Sequence, residues 1–169
     1  GNYWRGGSLG AIEFDQNAQA LGTSQHGLSL SGILGTRFGH MRASDLGGSC
    51  VYVPEKLFSG TNPDPYNVAS NVFDGIEANR VRGWAIENQN WLGFNGNEIK
   101  YLRAIETYQG GFYGLGTMNT VISASMGSCA GWAFDDGCFV AATGGASLKN
   151  RVMNAEIDDP EKVIRLNRS

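Results

Sequence analysis

SNVFDGIEANRVRGWAIEN (residues 70–88) and NEIKYLRAIETYQGGFYGL (residues 97–115) decide the fold, because they carry one pattern twice. In each, an asparagine (Asn71, Asn97) stands two positions ahead of an apolar residue. Two residues are then skipped and further apolar residues follow two apart: Phe73, Ile76 and Ala78, then Ile99, Leu102 and Ala104. Period-two patterning places alternate side chains on one side of an extended chain, so these are short strands with one buried face.

The pattern spreads outward from there. TRFGHMRASDLGGSCVYV (36–53) supplies Phe38, Met41 and Ala43, NTVISASMGSCAGWAFDDG (119–137) keeps Val121, Ala124 and Met126, and KNRVMNAEIDDPEKVIRLN (149–167) supplies Val152, Ala155 and Ile157. Eight residues after the last apolar position a second short strand arrives, at Val51, Ile86, Phe112 and Phe134. Each repeat therefore reads as strand, bend, strand and a looser return. The asparagines Asn71, Asn97, Asn119 and Asn150 recur at steps of 26, 22 and 31 residues. Such steps suit coils whose loops grow from one corner, and no amphipathic run of period 3.6 supports helix pairs. AIEFDQN (11–17) and HGLSLSG (26–32) read as an earlier, less regular coil. The expected fold is thus all-β, a parallel β-helix of about six coils. Residues 54–67 and 140–149 form protruding loops. An asparagine has both an amide donor and a carbonyl acceptor, so Asn71, Asn97, Asn119 and Asn150 are expected to form a hydrogen-bonded ladder up the stack. Asparagine is also simply common in turns.

Composition agrees with a chain that turns often, since 25 of 169 residues are glycine. The net charge of −3 and the pI near 5.3 offer no basic stripe for phosphates, so nucleic acid is not an expected partner. No apolar run approaches the ~20 residues of a membrane-spanning helix, and a membrane is not an expected partner either. Residues 1–169 are expected to form a single domain. Gly1 is not a start methionine, and the chain is expected to be a piece of a longer one. Its outer coils are then covered by neighbouring sequence or by other subunits.

The run from residue 70 to residue 115 resembles the coils of right-handed parallel β-helix proteins, the pectate-lyase-like superfamily of polysaccharide lyases, hydrolases, uronan epimerases and phage tailspikes. The resemblance covers roughly residues 7–167 and concerns coil grammar. The DPHE-like signature of alginate epimerases is absent, and the nearest string is NPDPY (62–66). The resemblance implies a polysaccharide partner held along an outer groove, in an extracellular or virion-surface setting. It equally admits a structural tailspike or stalk segment, in which stacking rigidity is the function and subunits assemble as a homotrimer.

Outward positions of successive coils line up, and this gives two candidate sites. On the first strand of each coil they are His40, Arg42, Glu77, Tyr101 and Arg103. Arginine pairs bidentately with carboxylates, and Tyr or His can remove the proton alpha to a uronate carboxylate whose charge an arginine has neutralised. His40, Tyr101 and Arg103 are the catalytic candidates there, with Arg42 and Glu77 holding substrate. The same charges also make a cross-strand ladder on a solvated sheet, with no ligand required. On the second strand, Glu87 and Asp135 lie two coils apart, roughly 9 to 10 Å between backbones. That approaches the carboxyl separation of an inverting glycosidase. Asp136 and Tyr113 are the substrate-binding candidates beside them. Trp84 and Trp132 are expected to face inward.

Other patterns carry less. GSCAGWAF (127–134) lacks the spacing of a cysteine-protease nucleophile, and Cys50, Cys129 and Cys138 with His26 and His40 lack zinc spacing. No cofactor is required by the sequence. Calcium is admitted through Asp135 and Asp136, or Asp158 and Asp159, although it takes six to eight oxygens.

Overall fold

The computed structural model describes residues 4–15, 25–55, 67–90, 93–116, 118–135, 150–158 and 163–165. Every regular element among them is a strand. In chain order these are β1 (Trp4–Arg5), β2 (Ser8–Leu9), β3 (Ile12–Asp15), β4 (Leu28–Ser29), β5 (Ile33–Leu34) and β6 (Arg37–Ser44). Next come β7 (Val51–Val53), β8 (Val68–Ala69), β9 (Val72–Asn79), β10 (Trp84–Asn88), β11 (Phe94–Asn95) and β12 (Glu98–Ile105). The last are β13 (Gly110–Tyr113), β14 (Thr120–Gly127), β15 (Trp132–Asp135), β16 (Arg151–Ile157) and β17 (Ile164–Arg165).

All pairings are parallel, and the strands form three sheets. A seven-stranded sheet runs β16-β14-β12-β9-β6-β2 with β3 also on β6, a six-stranded sheet runs β17-β15-β13-β10-β7-β4, and a four-stranded sheet runs β1-β5-β8-β11. From β5 to β13 the chain visits the four-, seven- and six-stranded sheets in that cyclic order, the path a parallel solenoid requires. The return between the second strand of one repeat and the first of the next, expected to be loose, contains the short strands of the third sheet. Residues 56–66 and 140–149, which hold most of the two expected loops, lie outside the described residues.

Register follows the apolar triplets. Phe38 pairs with Phe73 and Phe73 with Ile99, while Met41, Ile76 and Leu102 are neighbours. All of them are fully buried. Val51, Ile86, Phe112 and Phe134 likewise share one row of the six-stranded sheet. Stacked aromatic rings fill the interior: Phe38 lies on Phe73 at 4.7 Å, and Phe94 meets Phe112 edge-on at 5.8 Å. Each fully buried phenylalanine contributes about 2 kcal/mol through removal from water. Burial fades at β16, where Val152 is 37% exposed although it pairs with buried Val121.

Two corners set the winding. Asp45, Arg80, Glu106 and Ser128 follow the strands of the seven-stranded sheet in left-handed conformation, with φ between 51° and 56°. Gly35, Ser70, Gly96 and Met118 are also left-handed, with φ between 56° and 62°, one residue before Thr36, Asn71, Asn97 and Asn119. A single left-handed residue bends the chain sharply without leaving the parallel register. Inside the second corner the asparagines bond to one another. The Asn71 amide Nδ2 donates to Asn97 Oδ1 at 3.0 Å, Asn97 Nδ2 to Asn119 Oδ1 at 3.0 Å, and the Asn119 backbone N–H to Asn150 Oδ1 at 2.8 Å.

Candidate functional site

The apolar spacing of three and then two creates the outward face. Between Phe38 and Met41 stand Gly39 and His40, and between Phe73 and Ile76 stand Asp74 and Gly75. An extra residue has to turn outward at this point, as in a bulge. The outer face of the seven-stranded sheet consequently carries one row through His40, Gly75, Tyr101, Ser123 and Asn154, and another through Glu13, Arg42, Glu77, Arg103, Ser125 and Glu156. This brings His40, Arg42, Glu77, Tyr101 and Arg103 onto three adjacent strands.

His40 Nε2 lies 2.7 Å from Glu77 Oε1, and Arg42 Nε lies 3.4 Å from Glu77 Oε2. A carboxylate only accepts hydrogen bonds, so Nε2 carries a proton in this contact, and in the neutral ring Nδ1 is then the acceptor. The His40 and Tyr101 rings face each other at 6.3 Å across β9, whose residue at that level is Gly75. A Cβ on Gly75 would stand 2.6 Å from the His40 ring, so the glycine is what lets the imidazole lie over the strand. Arg103 is exposed and makes no ion pair among the described residues. It lines a groove of about 370 Å³ with Glu13, Arg42, Glu77, Ser44 and Asn79. A second charged row lies beside it. Asp74 accepts from Arg37 at 2.8 and 2.9 Å and from Lys100 at 2.8 Å, and these bonds hold its carboxyl at about 2.

The six-stranded sheet arranges its candidates differently. Glu87, Tyr113 and Asp135 follow one another in register, two strands from first to last. Asp135 was expected to project into water, but it is 3% exposed, with Arg165 Nη1 3.7 Å from its carboxylate. Glu87 has both oxygens engaged, one by the Ser49 hydroxyl at 2.6 Å and one by Gln89 Nε2 at 2.9 Å. An inverting hydrolysis uses two carboxyls flanking a water, whereas here Asp135 is buried and each Glu87 oxygen already accepts a hydrogen bond. Tyr113 is half-buried, its ring 5.2 Å from Trp84. Trp84 is buried as expected, whereas Trp132 is only half-buried. Asp136 lies outside the described residues, as does Asp159. Among the described residues no group of three or more His, Cys, Asp or Glu is placed to hold a metal ion.

Sequence reasoning missed a cluster at the corner near β7. Ser49 donates its backbone N–H to His26 Nδ1 at 3.0 Å and its hydroxyl to Glu87, and accepts from the Trp84 N–H at 2.9 Å. Serine, histidine and glutamate converge here, but the imidazole bonds the serine's amide rather than its hydroxyl, and Ser49 is fully buried. That is a structural knot and not an activated nucleophile. No short motif joins His26, Ser49 and Glu87, which are far apart in sequence.

Compared with protein-family models, curated proteins and solved structures, the chain finds no match in any of the three.

Proposed function

We propose that this chain is a right-handed parallel β-helix of about six coils, with its asparagines as an interior ladder, of the kind found in the pectate-lyase-like superfamily. It holds an acidic polysaccharide along the outer face of the seven-stranded sheet and cleaves it by β-elimination. The observation that carries this reading is the grouping of His40, Glu77, Tyr101 and Arg103 on three adjacent strands, where Glu77 and Arg103 line one groove and Arg103 makes no ion pair among the described residues. Arg103 neutralises a uronate carboxylate and so acidifies the proton alpha to it. His40, held through Nε2 by Glu77, takes that proton at Nδ1. The electron pair released forms the carbon–carbon double bond, the glycosidic C–O bond breaks, and the Tyr101 hydroxyl protonates the departing oxygen. An extracellular or virion-surface setting goes with such a substrate. The exposed strand β16 favours cover by a further coil or another subunit.

The test is a screen of acidic and neutral polysaccharides for release of unsaturated sugar ends. Wild-type protein should release them from a uronate polymer only, and His40→Gln should lower the rate by about a hundredfold or more. Binding without product would reduce the site to a receptor, and no product with no binding would end the proposal.

A second reading is a structural stalk or tailspike segment. The pairs Arg42 with Glu77 and Asp74 with Arg37 and Lys100 favour it, since a cross-strand charge ladder serves a rigid sheet without any ligand.

A further inference from the structure

A second depression, of about 460 Å³, lies around the corner from the groove just described. The groove ends at Ser44, Asn79 and Ile105, and the depression begins at Gly47, Arg82 and Tyr108. Between them the corner is bridged by Arg80, which donates to Asp45 at 2.7 and 2.8 Å. The two are thus separate surfaces. The volume falls within the range of small-molecule sites.

Its lining is chemically distinct. Arg82 is exposed and has no ion-pair partner among the described residues. Tyr108 is 71% exposed, an unusual position for so large a ring. His26 stacks on Tyr52 at 3.9 Å with planes 5° apart, so both rings are fixed. Because His26 Nδ1 accepts the Ser49 amide, its ring proton sits on Nε2, which has no partner among the described residues. Burial lowers the His26 pKa more than Glu87 raises it, which keeps the ring a neutral donor at neutral pH. Glu87 is locked by Ser49 and Gln89 and offers fixed acceptor oxygens. The depression combines one exposed guanidinium with no ion-pair partner among the described residues, one exposed aromatic face and rigid donors and acceptors.

We propose that this depression is a second site, which binds a single carboxylate-bearing sugar residue. Arg82 takes the carboxylate, the Tyr108 ring lies against the sugar face, and His26 Nε2–H and Glu87 bond the hydroxyls. The ligand class rests on the acidic-glycan reading above, but none of its contacts is shared with His40, Tyr101 or Arg103.

The test titrates monomeric glucuronate and galacturonate, with glucose as neutral control, while NMR follows the His26 and Tyr108 ring signals. In wild-type protein the uronates should shift both signals and glucose should not. Arg82→Gln and Tyr108→Ala should each weaken the uronate affinity by about tenfold or more. Arg103→Gln should leave it unchanged, and thermal unfolding should confirm that these exposed changes keep the fold. Unmoved His26 and Tyr108 signals, equal binding of glucose, or wild-type affinity in both Arg82→Gln and Tyr108→Ala would overturn the second site. A parallel assay with uronate polymer separates the two claims. Polymer binding lost in Arg103→Gln, with the His26 signal unmoved by monomer, sinks the second site alone. Uronate binding at His26 with no polymer bound at Arg103 sinks the first.

Discussion

Asp74 shows how a single side chain ties this surface to pH. Hydrogen bonds from Arg37 and Lys100 lower its pKa from an ordinary 3.8 to about 2. A carboxyl whose pKa is depressed on folding contributes stability above its unfolded value and loses it as pH falls through the folded one. The contribution is therefore complete above about pH 4 and fades down to about pH 2. Asp74→Asn should lower the urea midpoint at pH 7, change it little near pH 2, and so flatten its fall across that window. An unchanged slope between pH 4 and pH 2 would show that Asp74 does not report its pairing in this way. At the same scale, Asp135 explains a limit of the sequence. Its register on β15 was legible, but its cover was not, because Arg165 approaches from a strand distant in the chain.

At the level of elements, the asparagine corner is a network with no spare partner. Asn97 is 1% exposed and accepts from the Asn71 backbone N–H at 3.1 Å and from Asn71 Nδ2 at 3.0 Å. It also donates to the Val68 carbonyl at 2.9 Å and to Asn119 Oδ1. Asn97→Ala leaves buried donors of Asn71 without an acceptor, and should destabilise the protein by about 3 kcal/mol in chemical denaturation. A loss under about 1 kcal/mol would mean that water or backbone replaces the side chain. The five long strands of the seven-stranded sheet, β6, β9, β12, β14 and β16, were legible because a spacing of three and then two has one reading when a face is buried. The four-stranded sheet was not, since β1, β5, β8 and β11 are two residues each and too short to show a period. The left-handed corners at Asp45, Arg80 and Glu106 were also hidden, because none is a glycine. As for the site, His40, Arg42, Glu77, Tyr101 and Arg103 could be placed on one face by register alone. Gly75 could not be seen as the reason His40 reaches Glu77, because that depends on a ring leaning across strands.

At the scale of the whole molecule, parallel register converts a one-dimensional repeat into a continuous face, and the account stands on whether that face holds a charged polymer. An interaction led by Arg103 is electrostatic and weakens with salt, whereas interior packing does not. The most direct measurement is the affinity of wild-type protein and of a Tyr101→Ala, Arg103→Gln double variant for polygalacturonate and alginate, with dextran as neutral control. Wild-type protein should bind at least one acidic polymer and not dextran, and the double variant, equally well folded, should lose about tenfold or more of that affinity. Equal affinity in the two proteins, or a wild-type chain indifferent to every acidic polymer, would contradict it.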